Sequence, residues 1–349
     1  MDKPVYTPDY THLAAPAPGE TIEVAAGVHW LCMPLPFKLD HINLWLLEDR
    51  DEDGDGWTIV DTGINRDEVR KAWETVFAAL VSDAKPVKRV IVTHFHPDHF
   101  GLAGWLTRKF GVALWMPREE WTQGRMLSLE TGETSRGAFS RFYKAAGFDE
   151  DMMDAARARS GRYAKSVSVA PGSFRRISDG TEISIGGRVW RTIVGTGHSP
   201  EHACLYCADL DVLISGDQVL PKISPNVSVW PQEPEADPLA LFLGSLDKLR
   251  GLGPDTLVLP SHNFPFRGLD ARIDDLQLHH DERLEETLEF CSEPLNGVQV
   301  LRQLFQRELD THQLFFAIGE TLAHLHHLIG QGKIRRRKNA DGVHLFERH

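Results

Sequence analysis

The segment Thr93-His94-Phe95-His96-Pro97-Asp98-His99 constrains this chain more than any other. Three imidazoles and one carboxylate lie within six residues, directly after the apolar run Arg89-Val90-Ile91-Val92-Thr93. That run reads as a short buried strand. Imidazole and carboxylate are the usual ligands of catalytic zinc. A strand that ends in a tight turn can deliver several such groups to one point. Pro97 restricts the turn, and Gly101 just beyond it tolerates backbone angles that other residues resist.

Six residues cannot enclose two metal ions, so further ligands must arrive from distant parts of the chain. Three candidates occur, each at the end of an apolar, strand-like run. Residues 189–194 lead to Gly195-Thr196-Gly197-His198-Ser199-Pro200, residues 211–214 to Ser215-Gly216-Asp217, and residues 256–259 to Pro260-Ser261-His262. One of them alone is an ordinary polar loop residue. Three repeats of the same strand-then-ligand arrangement put His198, Asp217 and His262 on rigid supports at one edge of a sandwich.

The rest of the chain fits a layered α/β protein. Strands are expected at 42–47 and 57–60, around an acidic, Gly-rich turn. Residues 66–82 have helical periodicity, with Val69, Trp73, Val76, Phe77 and Leu80 on one face. Helix is expected over 101–110, then a strand over 112–116. A helix-rich insert over 117–175 carries Trp121, Met126, Leu127, Phe139, Phe142, Tyr143, Met152 and Met153. Strand signals return over 174–215, followed by helices near 237–250 and 268–292 and a strand at 256–260. Past 293 come two helices, 296–307 and 312–331, and a hairpin with Asp341-Gly342 in its turn.

The ligand set, HxHxDH followed in order by His, Asp and His, resembles the metallo-β-lactamase superfamily over about residues 20–270. The resemblance implies an α/β fold, the metallo-β-lactamase αββα sandwich, here with a helical insert. It places His94, His96 and His198 on a first metal, Asp98, His99 and His262 on a second, and Asp217 between the two. Asp61, in Val60-Asp61-Thr62-Gly63, matches the family's aspartate behind the ligands, which orients a ligand or braces the loop. An aspartate at 217 together with His99 is similar to glyoxalase II, lactonase and RNase-type members. True β-lactamases of the family as a rule lack that bridging aspartate, and the diiron oxidoreductase branch has Glu where this chain has His96.

The cofactor implied is two Zn2+, with Fe or Mn as other candidates. Two metals about 3.5–4 Å apart share a bridging hydroxide and polarise the scissile group. Asp98 is the expected catalytic residue, ligating metal and orienting the hydroxide or shuttling a proton. The C-terminal piece is similar to lactamase-β-like proteins with a winged-helix tail. This implies a catalytic domain over 1–292 and a winged-helix-like domain over 293–349.

The expected function is zinc-dependent hydrolysis of an ester-like bond (thioester, lactone or ester) in a small to medium substrate, with the insert capping an apolar pocket. The alternative is a metal-dependent endoribonuclease or phosphodiesterase that holds RNA on the terminal hairpin. There Lys333, Arg335, Arg336, Arg337, Lys338 and Arg348 oppose only Asp341 and Glu347. The whole chain, with 38 basic and 50 acidic residues and a net charge of −12, weighs against nucleic acid. A third reading, a binding protein with a dead hydrolase domain, conflicts with retention of all seven ligand candidates.

No apolar run approaches the roughly 18 residues of a membrane span, and the N-terminus lacks a signal-peptide pattern. We therefore expect a cytoplasmic protein with no membrane partner and no disulfides. A homodimer through the C-terminal domain is the oligomer to test.

Other signals read as structural. Cys204 and Cys207 form a lone CxxC inside an apolar run, read as two small buried residues. Asp51-Glu52-Asp53-Gly54-Asp55-Gly56 begins like a calcium loop but has Thr62 at the twelfth position, so it is expected to be a hairpin turn. His202 is read as structural beside His198, His279 and His280 as solvated or packed, and His324, His326 and His327 as helix-surface residues.

Overall fold

Strands that are apolar on both faces need covering on both, and the computed structural model answers this with four layers. It describes residues 6–130, 136–159 and 161–349. The first five residues of the N-terminal segment, and residues 131–135 and 160 of the expected insert, lie outside the described residues.

The first 7-stranded sheet runs, in spatial order, Ile22–Ala25, Val28–Pro34, His41–Asp51, Gly54–Val60, Val87–Ile91, Leu114–Met116 and Arg175–Arg176. The second, also 7-stranded, runs Asp9–Tyr10, Phe266–Arg267, Leu257–Pro260, Val212–Gly216, His202–Cys207, Arg188–Gly195 and Glu182–Ile185. Alternation along each strand divides the side chains between two cores. In Val28–Pro34, Val28 and Trp30 point between the sheets, where they join Trp45, Trp190, Leu205 and Ile214. Leu31 and Met33 point outward to Val69, Trp73 and Leu106. The helices Asp67–Leu80 and Ala103–Phe110 supply that outer layer, and Pro238–Leu246 and Leu269–Phe290 supply the layer on the second sheet.

The expected helix face at 69, 73, 76 and 77 is buried, because these residues cover the first sheet. The turn at 51–56 joins the antiparallel strands His41–Asp51 and Gly54–Val60 and is a hairpin. The CxxC cysteines are both buried but lie on opposite faces of their strand, Cys204 in the outer core and Cys207 between the sheets. An offset of three residues in a strand always separates faces, so these thiols share no partner.

Three details differ from the sequence reading. The strand before the histidine loop ends at Ile91, not Thr93, because the Thr93 N–H leaves the ladder for the Asp61 carboxylate at 2.8 Å. Gly101 is needed for space rather than for unusual angles. Its φ is −55° and ψ −47°, but a Cβ there would lie 2.3 Å from the Pro97 carbonyl oxygen and 2.5 Å from that of Gly63. His324 and His326 are buried rather than on the helix surface. Their helix, Thr311–Gly330, packs against Pro238–Leu246, Leu269–Phe290 and Gly297–Leu304, so it has little free face. His280 is buried with them, its Nδ1 3.2 Å from His324 Nε2.

The insert comprises helices Arg118–Leu129, Arg136–Ala146, Glu150–Arg159 and Arg162–Ser166. Trp121, Leu127 and Tyr163 pack on the first-sheet side, whereas Tyr143, Ala146, Phe148 and Met153 join the core of the second. It thus spans both halves. The same second core takes in Val298, Leu301, Phe315, Ile318 and Leu322 from the C-terminal helices, and Ile334 and Phe346 from the hairpin Ile334–Lys338 with His344–Arg348. Among the described residues no helix is long and apolar enough to cross a membrane.

Candidate metal centre

All seven ligand candidates converge at one edge of the two sheets. His94, His96, His198 and Asp217 form one group whose donor atoms lie within 4.8 Å of one another, and Asp98, His99 and His262 form a second. His94 Nε2 is 2.9 Å from His96 Nδ1 and 3.3 Å from His198 Nε2. Asp217 stands between the groups. Its Oδ2 is 3.5 Å from His198 Nε2 and 3.6 Å from His99 Nε2, and its Oδ1 is 3.5 Å from His262 Nε2. Asp98 Oδ2 lies 3.6 Å from His262 Nε2; the Asp98 side chain is 20% exposed, and Asp98 and His96 are the half-buried members of an otherwise buried set.

The outward nitrogens decide which imidazole atoms are free. His198 Nδ1 donates to the Asn226 carbonyl at 2.8 Å, and His262 Nδ1 donates to the His41 carbonyl at 2.9 Å. His99 Nδ1 donates to Asp61 Oδ2 at 2.7 Å. The Thr93 hydroxyl donates to Asp61, so its oxygen accepts from His94 Nδ1 at 3.0 Å. These four histidines therefore carry their proton outward and turn an Nε2 lone pair inward, which is how histidines are held around a metal. His99 Nε2 and Asp217 Oδ1 are buried with no hydrogen-bond partner among the described residues. A buried polar atom left unpaired costs about 1–3 kcal/mol, and a cation between them satisfies both. The donor set, nitrogen and carboxylate oxygen, fits a divalent transition metal.

The electrostatics differ between the two groups. Burial, then neighbouring imidazoles, push His94 well below the usual histidine range, so it stays a neutral donor. Burial works the same way on His99, but the carboxylates of Asp61, Asp217 and Asp98 outweigh it and hold His99 well above that range. Three carboxylates thus draw positive charge into this half of the site, and a metal supplies it.

Asp61 sits at φ 63°, the left-handed region that aspartate tolerates better than most residues. His202 takes no place among the ligands. Its Nε2 accepts from the Asp217 N–H at 3.0 Å, and a Cβ on Gly216 would lie 2.4 Å from its ring. His202 therefore supports the loop that presents Asp217.

Sequence reasoning missed the carbonyls of Asn226 and His41, because a backbone acceptor carries no residue signal. It also missed Glu120, a buried carboxylate on the insert; its only sequence mark is a Glu in the first turn of a helix, a pattern shared by exposed residues.

The family model described as the metallo-beta-lactamase superfamily matches residues 38–262, which contain every ligand candidate. A second, for the metallo-beta-lactamase-like C-terminal domain, matches residues 284–349. The crystal structure of a beta-lactamase domain protein from Burkholderia ambifaria is similar at 46% identity and a TM-score of 0.91, covering 98% of both chains. The Bacillus subtilis (strain 168) protein named probable metallo-hydrolase YqjP is 26% identical over 84% of this chain and 89% of its own length. A linear primary-alkylsulfatase from Pseudomonas sp. (strain ATCC 19151) is 29% identical over 65% of this chain, but over 43% of its own length.

Proposed function

This chain belongs to the metallo-beta-lactamase superfamily and is a metallo-hydrolase, and on that premise we propose that it uses two zinc ions to cleave an ester-like bond, a thioester, lactone or ester, in a small to medium substrate. The single observation that carries the reading is the convergence of two ligand groups joined by Asp217. His94, His96 and His198 would hold one ion, Asp98, His99 and His262 the other. When bound, such a pair lowers the pKa of a shared water and polarises the oxygen of the scissile group.

The chain's own residues then divide the work. Asp61, Thr93, Asn226 and His41 keep the imidazoles aimed, so little reorganisation is needed during reaction. Asp98, with its side chain 20% exposed, would take the proton of the attacking water at its carboxylate. The insert lies on the metal side of the molecule, since Glu120 and Tyr163 reach the histidine loop. It also exposes Met126 and Leu129, apolar surface suited to an acyl chain. The four buried, unpaired cysteines suit a reducing compartment, the cytoplasm.

The alkylsulfatase similarity favours a second reading, a sulfate ester, in which the same cap takes an alkyl chain. The RNA reading gains no such support. Arg335 and Arg337 share Glu347 at 3.1 and 3.2 Å, and Arg336 pairs with Glu235 at 2.6 Å, so all three arginines already have carboxylate partners.

The test is metal analysis together with a hydrolysis panel of acyl thioesters, lactones, carboxylic esters, alkyl sulfates and short RNA. We expect one ester class to turn over, to stop on chelation and to return with zinc. Asp98→Ala should lower kcat by roughly 100-fold or more, the range for loss of a positioned acid–base group. Turnover of alkyl sulfates alone would select the second reading, and turnover of RNA alone would refute both.

A further inference from the structure

Phe95 lies between His94 and His96, and both of its backbone polar groups are held by side chains of the insert. Its N–H donates to Glu120 Oε2 at 2.9 Å, and its carbonyl accepts from the Tyr163 hydroxyl at 2.5 Å. Glu120 also reaches the loop after His198. Its Oε1 accepts from the Ser199 hydroxyl at 2.7 Å and from the Glu201 N–H at 2.6 Å. One carboxylate thus joins the two loops that carry His94, His96 and His198.

We propose that Glu120 and Tyr163 are positioning residues through which the insert sets the geometry of the metal centre. The proposal rests on the reading of the cluster as a metal site. The N–H and the carbonyl of Phe95 belong to the two peptide planes that join it to His94 and to His96, so holding both planes fixes the backbone of both flanking histidines and with it the aim of both rings. Glu120 is fully buried on the helix Arg118–Leu129, and burial raises its carboxyl to about 7 against the three donors that lower it. A carboxyl buried in this way is costly unless it is fully hydrogen-bonded. An apolar residue would pack there without that cost but could not join two loops. The metal centre and the insert are therefore coupled, and by linkage a metal that tightens the loop also tightens the insert.

The experiment compares the full-length wild type with Glu120→Gln and Tyr163→Phe, each loaded with Co(II). The readouts are the visible ligand-field spectrum and the dissociation constant from chelator competition. In Glu120→Gln the amide has one acceptor oxygen, which will stay with its two donors, Ser199 and Glu201. The amide nitrogen then faces the Phe95 N–H, donor against donor. We expect affinity to fall roughly 10–100-fold, as for other groups that brace metal ligands, with a shifted spectrum. Tyr163→Phe removes one hydroxyl and should move both readouts in the same direction by less.

A purely structural role predicts a lower melting temperature with an unchanged spectrum and dissociation constant. That result overturns the proposal, and Tyr163→Phe decides it if Glu120→Gln does not fold. A wild type that takes up no Co(II) overturns the metallo-hydrolase reading as well. A wild type that binds Co(II), with variants that bind it identically, overturns this inference alone.

Discussion

Asp61→Asn isolates the link between the buried carboxylate and the metal centre. Asp61 is 1% exposed. It accepts from Thr93 N at 2.8 Å, Thr93 Oγ1 at 2.9 Å and His99 Nδ1 at 2.7 Å. Asparagine keeps the shape and also tolerates the φ of 63°, but it offers one oxygen in place of two. If that oxygen stays on His99, the amide nitrogen opposes the Thr93 N–H, a buried donor clash of about 1–3 kcal/mol. If it stays on Thr93, the amide donates to His99 Nδ1. The imidazole proton then moves to Nε2, and the inward lone pair is lost.

Either arrangement weakens the group formed by Asp98, His99 and His262. We expect a roughly 10–100-fold loss of zinc affinity, which is about 1.4–2.8 kcal/mol. Chelator competition measures it, and the metal on His99 should leave first. Asp61→Ala loses the same bonds and also puts a Cβ-bearing residue without a polar handle in the left-handed region, costing about 1–2 kcal/mol more in denaturant unfolding. An Asp61→Asn protein that held both metals with wild-type affinity would refute the claim that Asp61 sets the proton position on His99.

Further outcomes follow from other parts of the fold. Gly216→Ala places a Cβ 2.4 Å from the His202 ring at a φ of 54°, so it should cost roughly 1–3 kcal/mol of stability and reduce bound metal; unchanged melting and metal content would show that His202 yields freely. Burial and neighbouring imidazoles hold His280 down to about 2, and burial holds His324 down to about 4, both from 6.5. The stability these neutral rings contribute is complete above pH 6.5 and is lost as pH falls below it, down to about 4 for His324 and about 2 for His280. At pH 5 the loss is about 2 kcal/mol for each ring. His324→Asn should flatten the fall of the urea midpoint between pH 6.5 and 5, and an unaltered slope would show that the pair does not titrate as the burial implies.

The share of this protein legible in its sequence follows the range of the interactions involved. His94, His96, Asp98 and His99 are adjacent in the chain, so their convergence needs only a strand and a turn. His198, Asp217 and His262 are far apart, yet each follows an apolar run, and the three strands point the same way in one sheet, so their C-terminal ends share an edge. The helix at Asp67–Leu80 was legible because its apolar period reports the one face it buries. The burial of His324 and His326 was not, since it depends on which other helices surround theirs.

What only the tertiary structure decided is the set of partners with no local pattern. The carbonyls of His41 and Asn226 fix His262 and His198 across 221 and 28 residues of chain, and any residue type supplies a carbonyl. Glu120 meets Ser199 across 79 residues, and Tyr163 meets Phe95 across 68. The sequence by itself determined which side chains can bind metal, because that is a property of their chemistry. The assembled backbone, through the carbonyls of His41 and Asn226 and the insert's bonds to two of the loops, decided how those side chains are aimed, because direction is not a property of residue type.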